Sequence, residues 1–224
     1  MALEIYLVRH GKTVFNTVGR VQGWSDSPLT AEGREAAARL GRGLASRGIA
    51  FDAAFSSTSP RAAETAALIL KNAGQNRLAA QQLPDLREYC FGGFEGELSR
   101  NLHEMLAASL GFPDTESWKA AYLNAESHVL AEAVSALDEM GLAEDEAALL
   151  GRLKNGMEQV AAQSAGLQRV LVVSHGMAIT AFLKSIDFSA IAYRSVDNLA
   201  VSRLAFSDGL WRIDSVGETD FLAD

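Results

Sequence analysis

Five side chains, Arg9, His10, Arg61, Glu88 and His175, are of the types that binding and transferring a phosphoryl group would need. An arginine offers a planar fork of N–H donors suited to phosphate or carboxylate; a neutral histidine can be base, metal ligand or nucleophile. Two guanidiniums would hold phosphoryl oxygens and neutralise the charge of a transition state. One imidazole could attack phosphorus if it is neutral and its other nitrogen is held by a carbonyl. A carboxylic acid nearby could protonate the leaving alkoxide and then deprotonate water. A metal site is not expected, because the two histidines have no third ligand at metal spacing.

These residues need elements that bring them to one place. Ile5 to Val8 reads as a buried strand, and Gly11 after Arg9-His10 lets the chain turn at once into a polar loop. Val170 to Val173, the strongest strand signal in the chain, ends the same way, in Ser174-His175-Gly176 before an apolar helix. Two histidines thus stand at the carboxyl ends of two buried strands that could lie side by side, the edge where ligands bind in open α/β sheets. A strand over 51–55 leads to Ser59 as N-cap, Pro60 at the first helical position and Arg61 in the first turn. An arginine there opposes the helix dipole, so an anionic partner is expected.

Glu88 lies in a glycine-rich stretch, 83–96, together with Glu95; aromatic and glycine neighbours could raise either carboxyl pKa by desolvation. The segment 14–29 reads as an irregular loop from which Asn16, Arg20, Gln22 and the amide of Gly23 could reach the anion. Thr30 caps a helix that runs to Gly48. Residues 98–165 are helical, with 98–142 read as a cap inserted over the sheet edge and 143–165 as a core helix that starts at the acidic run 144–146. A hairpin of 200–206 and 210–216 completes the sheet. The expected fold is α/β, a three-layer sandwich whose mostly parallel sheet is flanked by helices, as one domain over 1–224 with a helical cap insertion.

Composition fits an ordinary globular chain, 48% hydrophobic and 21% charged. A net charge of -8 and a pI near 5.1 argue against nucleic acid or an anionic membrane as the main partner. The anion site is therefore a local basic cluster in an acidic chain. The single cysteine, Cys90, permits no intrachain disulfide and no cysteine-based metal site, and reads as a half-buried filler. With no leader pattern and no apolar run of transmembrane length, the expected location is cytoplasmic. The expected partner is a small phosphorylated substrate. No cofactor follows from this chemistry, and the oligomeric state stays open, a homodimer among the options.

The same residues carry a family resemblance. Leu7-Val8-Arg9-His10-Gly11, Thr13, Asn16, Gly19-Arg20, Gln22-Gly23, Asp26, Pro28-Leu29-Thr30 and Gly33 form a nearly continuous match to the histidine phosphatase superfamily, which includes cofactor-dependent phosphoglycerate mutases. Ser56-Ser57 with Arg61, Thr65 and Ala66 resembles a second block, Leu86-Arg87-Glu88 with Phe91-Gly92 and Glu95-Gly96 a third, and Ser174-His175-Gly176 with Asn198 the remainder. The resemblance implies His10 as the nucleophile that becomes phosphohistidine, Arg9, Arg61 and His175 as the phosphate pocket, and Glu88 as general acid/base. It places Asn16 and Gly23 on the substrate side. Lys12, Pro60 and Phe221 depart from the usual pattern, which touches substrate contacts rather than the phosphate pocket.

The family holds both mutases and phosphatases. Residues 98–165 contain only Arg100, Lys119, Arg152 and Lys154 as basic residues, without the cluster a mutase uses for a carboxylate and a second phosphate. The mutase-type signature after Gly96 is also missing, and Phe91, Phe94, Trp118 and Tyr122 point to a roomier or less charged leaving group. The reading is a phosphatase, with a mutase as runner-up and a non-catalytic binding or regulatory domain as the third.

Overall fold

Alternation along two strands sets the layers. Ile5, Leu7, Val170 and Val172 lie on one face of the sheet, packed with Met157, Val160, Ile179 and Phe182; Tyr6, Val8, Leu171 and Val173 lie on the other, packed with Leu40, Leu44, Ala66 and Ile69. Strands buried on both faces read as continuous apolar runs, which is why these two were conspicuous. The computed structural model describes residues 2–222. Its six strands are β1 (Leu3–Arg9), β2 (Ala53–Ser57), β3 (Gln81–Leu83), β4 (Arg169–Ser174), β5 (Val201–Ser207) and β6 (Leu210–Glu218), in the order β3-β2-β4-β1-β5-β6. The β1, β2, β3 and β4 strands are parallel, and the closing hairpin is antiparallel. In the β1–β4 register Arg9 stands opposite Ser174, so His10 and His175 leave the same edge side by side.

Helices α2 (Ala31–Ser46) and α3 (Pro60–Asn72) cover one face, and α7 (Glu146–Gln163) and α8 (Gly176–Ile186) the other. The Thr30 hydroxyl caps α2 by accepting from the Gly33 N–H, and Asp145 caps α7 through the Ala148 N–H. Ser59 occupies the N-cap position of α3, but its side chain accepts no bond from the helix. Between β3 and α7 lie α4 (Ser99–Ser109), α5 (Thr115–Leu123) and α6 (Val129–Leu137), which form a third apolar cluster around Trp118, Leu106 and Val134.

Two elements differ from expectation. Val14–Val18 is a short helix, α1, rather than irregular chain: the Thr13 hydroxyl accepts from the Asn16 N–H and the Asn16 side chain accepts from the Thr13 N–H, a reciprocal box that offsets poor intrinsic propensity. The strand β3 is only three residues with two exposed, too short and polar to carry a periodic signal. Strand β2 also sits two residues later than the apolar run alone indicated.

Candidate active site

The carboxyl edge gathers His10, His175, Arg61 and Glu88, exposed by only 3%, 0%, 1% and 6% respectively, with the half-buried Arg9 beside them. The His10 and His175 rings meet edge to face at 5.1 Å. His10 Nδ1 donates to the carbonyl of its neighbour Gly11 at 2.8 Å, so the proton resides there and Nε2 keeps its lone pair. Burial, then the charges of Arg61 and Arg9, hold the His10 pKa well below the ordinary imidazole value. The Asn198 side-chain amide fixes the backbone of the same residue by donating to the His10 carbonyl at 2.9 Å.

Arg61 is held from the far side. Its Nη1 donates to the Ser25 carbonyl (2.9 Å) and Asp26 Oδ1 (2.7 Å), and its Nη2 to the Gly23 carbonyl (2.8 Å). Asp26 is thus an anionic partner for this first-turn arginine. A guanidinium has five N–H bonds, so three spent here leave Nε–H and one Nη2–H as a free edge, the pair that matches two phosphate oxygens. Arg9 spends one bond, from Nη1 to the Val196 carbonyl at 2.5 Å. Arg9 Nε, Arg61 Nε, His175 Nδ1 and Gln22 Nε2 are all buried without a protein partner. Buried polar atoms are nearly always satisfied, so such a cluster marks a place where an anion belongs.

Glu88 sits at the start of α8, where its carboxylate accepts from the N–H groups of Tyr89 (2.9 Å), Met177 (3.0 Å) and Ala178 (2.8 Å). Burial pushes its pKa up, and these three N–H groups and Arg61 pull back less, so the net shift is upward. His175 Nε2 lies 2.8 Å from the Ser57 hydroxyl. When that hydroxyl donates, Nδ1 carries the proton and can donate to a phosphoryl oxygen.

Other expected contacts are used differently. The Gly23 amide is not left for a ligand: it donates to the Glu95 carboxylate at Oε2, 3.1 Å away. Arg20 is exposed and donates to the Gly96 carbonyl. Asn16 Oδ1 is taken by the Thr13 N–H and Asn198, leaving its amide nitrogen as the donor. Gln22 Oε1 accepts from Thr13 and Ser27, which aims its amide nitrogen inward as a buried donor.

Glu95, considered for acid/base work, is instead a scaffold. It accepts from the N–H groups of Gly23, Trp24, Ser25 and Phe91 and from the Ser25 hydroxyl, at 2.6–3.1 Å. It thereby shapes the loop whose carbonyls grip Arg61. Only glycine fits at position 23, because a Cβ there would lie 2.0 Å from the Tyr89 carbonyl oxygen. Arg152 does the equivalent work for Glu88: it forms a two-pronged pair with Glu144 (2.7 Å for each bond) and donates to the carbonyls of Asp85, Arg87 and Glu88. Sequence reasoning missed both roles, since a residue that serves backbone groups of another segment has no local signature.

An α/β sheet with two histidines, two arginines and a buried carboxyl at its carboxyl edge is an arrangement chemically able to bind and transfer a phosphoryl group. The chain belongs to the histidine phosphatase superfamily, branch 1, whose family model matches residues 5–219. It is 28% identical over 228 residues to the Yersinia pestis (strain Pestoides F) protein named "Probable phosphoglycerate mutase GpmB", a match that covers 98% of this chain and 95% of the relative. Among solved structures, a phosphoglycerate mutase from Bacillus anthracis str. Sterne superposes with a TM-score of 0.92 at 36% identity, covering 99% of this chain and 95% of that one. The alpha-ribazole phosphatase from Shigella flexneri shares the fold, with a TM-score of 0.70 at 22% identity and 96% coverage of both chains.

Proposed function

We propose that this protein is a phosphomonoesterase that acts through a phosphohistidine on a small phosphorylated metabolite. The observation that supports this most directly is the set of unpartnered buried donors, Arg9 Nε, Arg61 Nε and His175 Nδ1, around a histidine whose Nε2 is unprotonated. In the first step His10 Nε2 attacks phosphorus and the bond from phosphorus to the alcohol oxygen breaks, while Glu88 gives that oxygen a proton. In the second step water attacks phosphorus, Glu88 takes its proton, and the bond from nitrogen to phosphorus breaks to release phosphate. Arg9, Arg61 and His175 stabilise the charge on the phosphoryl oxygens throughout.

The insertion supports hydrolysis over mutase chemistry. Lys119 is paired with Glu116, Arg152 is spent on Glu144 and three carbonyls, and Arg100 and Lys154 are exposed and separate. No basic cluster is left in 98–165 for a second phosphate. The mutase is the second reading, favoured by the name of the 36%-identical structure. The test is hydrolysis of 4-nitrophenyl phosphate in chelator, with His10→Ala alongside and 3-phosphoglycerate plus its bisphosphate activator as a parallel assay. Phosphate release that disappears in His10→Ala is expected. Mutase turnover without hydrolysis would establish the second reading, and silence in both assays would leave a binding domain.

A further inference from the structure

Next to the phosphate pocket a cleft of about 660 Å³ opens between the end of α5, the segment 190–197 and the end of β6, lined by Leu123, Asn124, Arg194, Ser195, Val196 and Val216 among others. Its inner wall touches the site at two points. The Val196 carbonyl holds Arg9, and the Ser195 side chain lies 2.5 Å from where a Cβ on Gly176 would stand, with Arg9 Nε 3.2 Å from the same point. Gly176 begins α8, whose next two N–H groups hold Glu88. The cleft therefore adjoins both the phosphate-binding arginine and the group that protonates the leaving oxygen. Tyr122 and Tyr193, sequence neighbours of the lining residues Leu123 and Arg194, stack at 5.9 Å, and the Tyr193 hydroxyl is 3.3 Å from Glu146.

Two charged residues belong to this wall. Asp197 lies near enough to Arg9 for its charge to favour the protonated guanidinium, so it acts on the phosphate side. Arg194 is exposed and its side chain has no hydrogen bond or ion pair with any described residue. It is the cleft's only basic side chain among the described residues.

We propose that this cleft holds the alcohol part of the phosphomonoester and that Arg194 binds an anionic group, a carboxylate or a second phosphate, carried by that alcohol. The inference rests on the phosphomonoesterase reading and narrows its substrates to phosphate esters that carry a second anionic group. One guanidinium matches one such group, which suffices for an ester with a single further anion and falls short of the additional phosphate and carboxylate of a bisphosphorylated activator.

The experiment compares three esters on wild type, Arg194→Ala and Arg194→Lys: 3-phosphoglycerate, propane-1,3-diol bisphosphate and glycerol 3-phosphate, which has no anionic group besides its phosphate. Wild type is expected to favour one or both of the first two. Arg194→Ala should lower kcat/KM for the favoured ester by about tenfold or more, mainly through KM, with glycerol 3-phosphate and 4-nitrophenyl phosphate within about twofold. Arg194→Lys should restore part of the preference. Loss on one arm only identifies carboxylate or phosphate as the group bound. An unchanged ratio between esters, or equal losses on all of them, overturns the proposal while leaving the hydrolase reading intact. If wild type hydrolyses none of them, calorimetry on His10→Ala with and without Arg194→Ala still decides: equal affinities for 3-phosphoglycerate and glycerol 3-phosphate in His10→Ala overturn the assignment.

Discussion

Glu88 is under opposing influences, burial against three N–H donors and Arg61, and burial prevails. It therefore keeps its proton to higher pH than an ordinary carboxylic acid, while His10, shifted down, stays neutral to lower pH than an ordinary imidazole. The sign of the pH dependence follows. For an alkyl phosphate, kcat/KM should hold as pH falls through the ordinary histidine range and drop as pH rises through the raised Glu88 pKa. Glu88→Gln should slow alkyl esters by about 10² or more and 4-nitrophenyl phosphate far less, because an acidic leaving oxygen needs no proton. Equal slowing across a leaving-group series would assign Glu88 a positional role instead. The same burial bears on folding: the native state binds this proton more tightly than the unfolded chain, so the group stabilises at acid pH and that contribution is lost as pH rises through its folded pKa.

At the scale of elements, the loop 23–26 is a part shaped by one carboxylate and used by one guanidinium. Glu95→Ala removes five acceptor contacts, so Arg61 loses its fixed carbonyl partners. Inhibition by inorganic phosphate should weaken by about tenfold or more, and Glu95→Gln should recover part of it. Phosphate affinity equal to wild type in Glu95→Ala would show that Arg61 holds its place without the loop. The start of α6 offers a second test. His128 Nδ1 accepts from the Ala131 N–H, and burial brings its pKa down to about 4. A depressed histidine stabilises above its unfolded pKa, near 6.5, and that stability is lost as pH falls towards the folded one. His128→Asn keeps the cap without the titration, so urea unfolding from pH 6.5 to 4 should lose about 3 kcal/mol less than wild type. Parallel pH profiles would refute that account.

What the sequence disclosed at this scale has a physical pattern. Strands buried on both faces, β1 and β4, and helices with a hydroxyl cap, such as α2, carry their signal within one short window. So did the residues that end those strands, His10 and His175. The short helix α1 and the three-residue β3 lacked a window long enough to register. Glu95 and Arg152 looked like ordinary charges because their partners are backbone groups that only the finished fold brings near. Gly23 reads from the sequence as an amide for the bound anion, yet that amide serves Glu95, a choice that depends on a residue 72 positions away.

The molecule as a whole is an acidic body in which two buried arginines, Arg9 and Arg61, meet at the carboxyl edge of the sheet, beside the cleft that carries Arg194. Its strand order has a consequence for how the chain is made. Of the six described strands β1 is made before the others yet lies between β4 and β5, so its ladder partners follow it only much later in synthesis; the ion pair joining Glu4 to Arg169 spans 165 positions. Such non-local pairing is slow, and until it forms β1 offers two bare edges and an apolar surface to any neighbour. A chain ending at Leu199 lacks β5 and should remain protease-sensitive, with no phosphate release; protection of β1 amides equal to the full chain would refute this. Birth order and assembly order are thus out of step for the proposed nucleophile: His10 is made well before β4 and β5, the strands that hold its own strand in place.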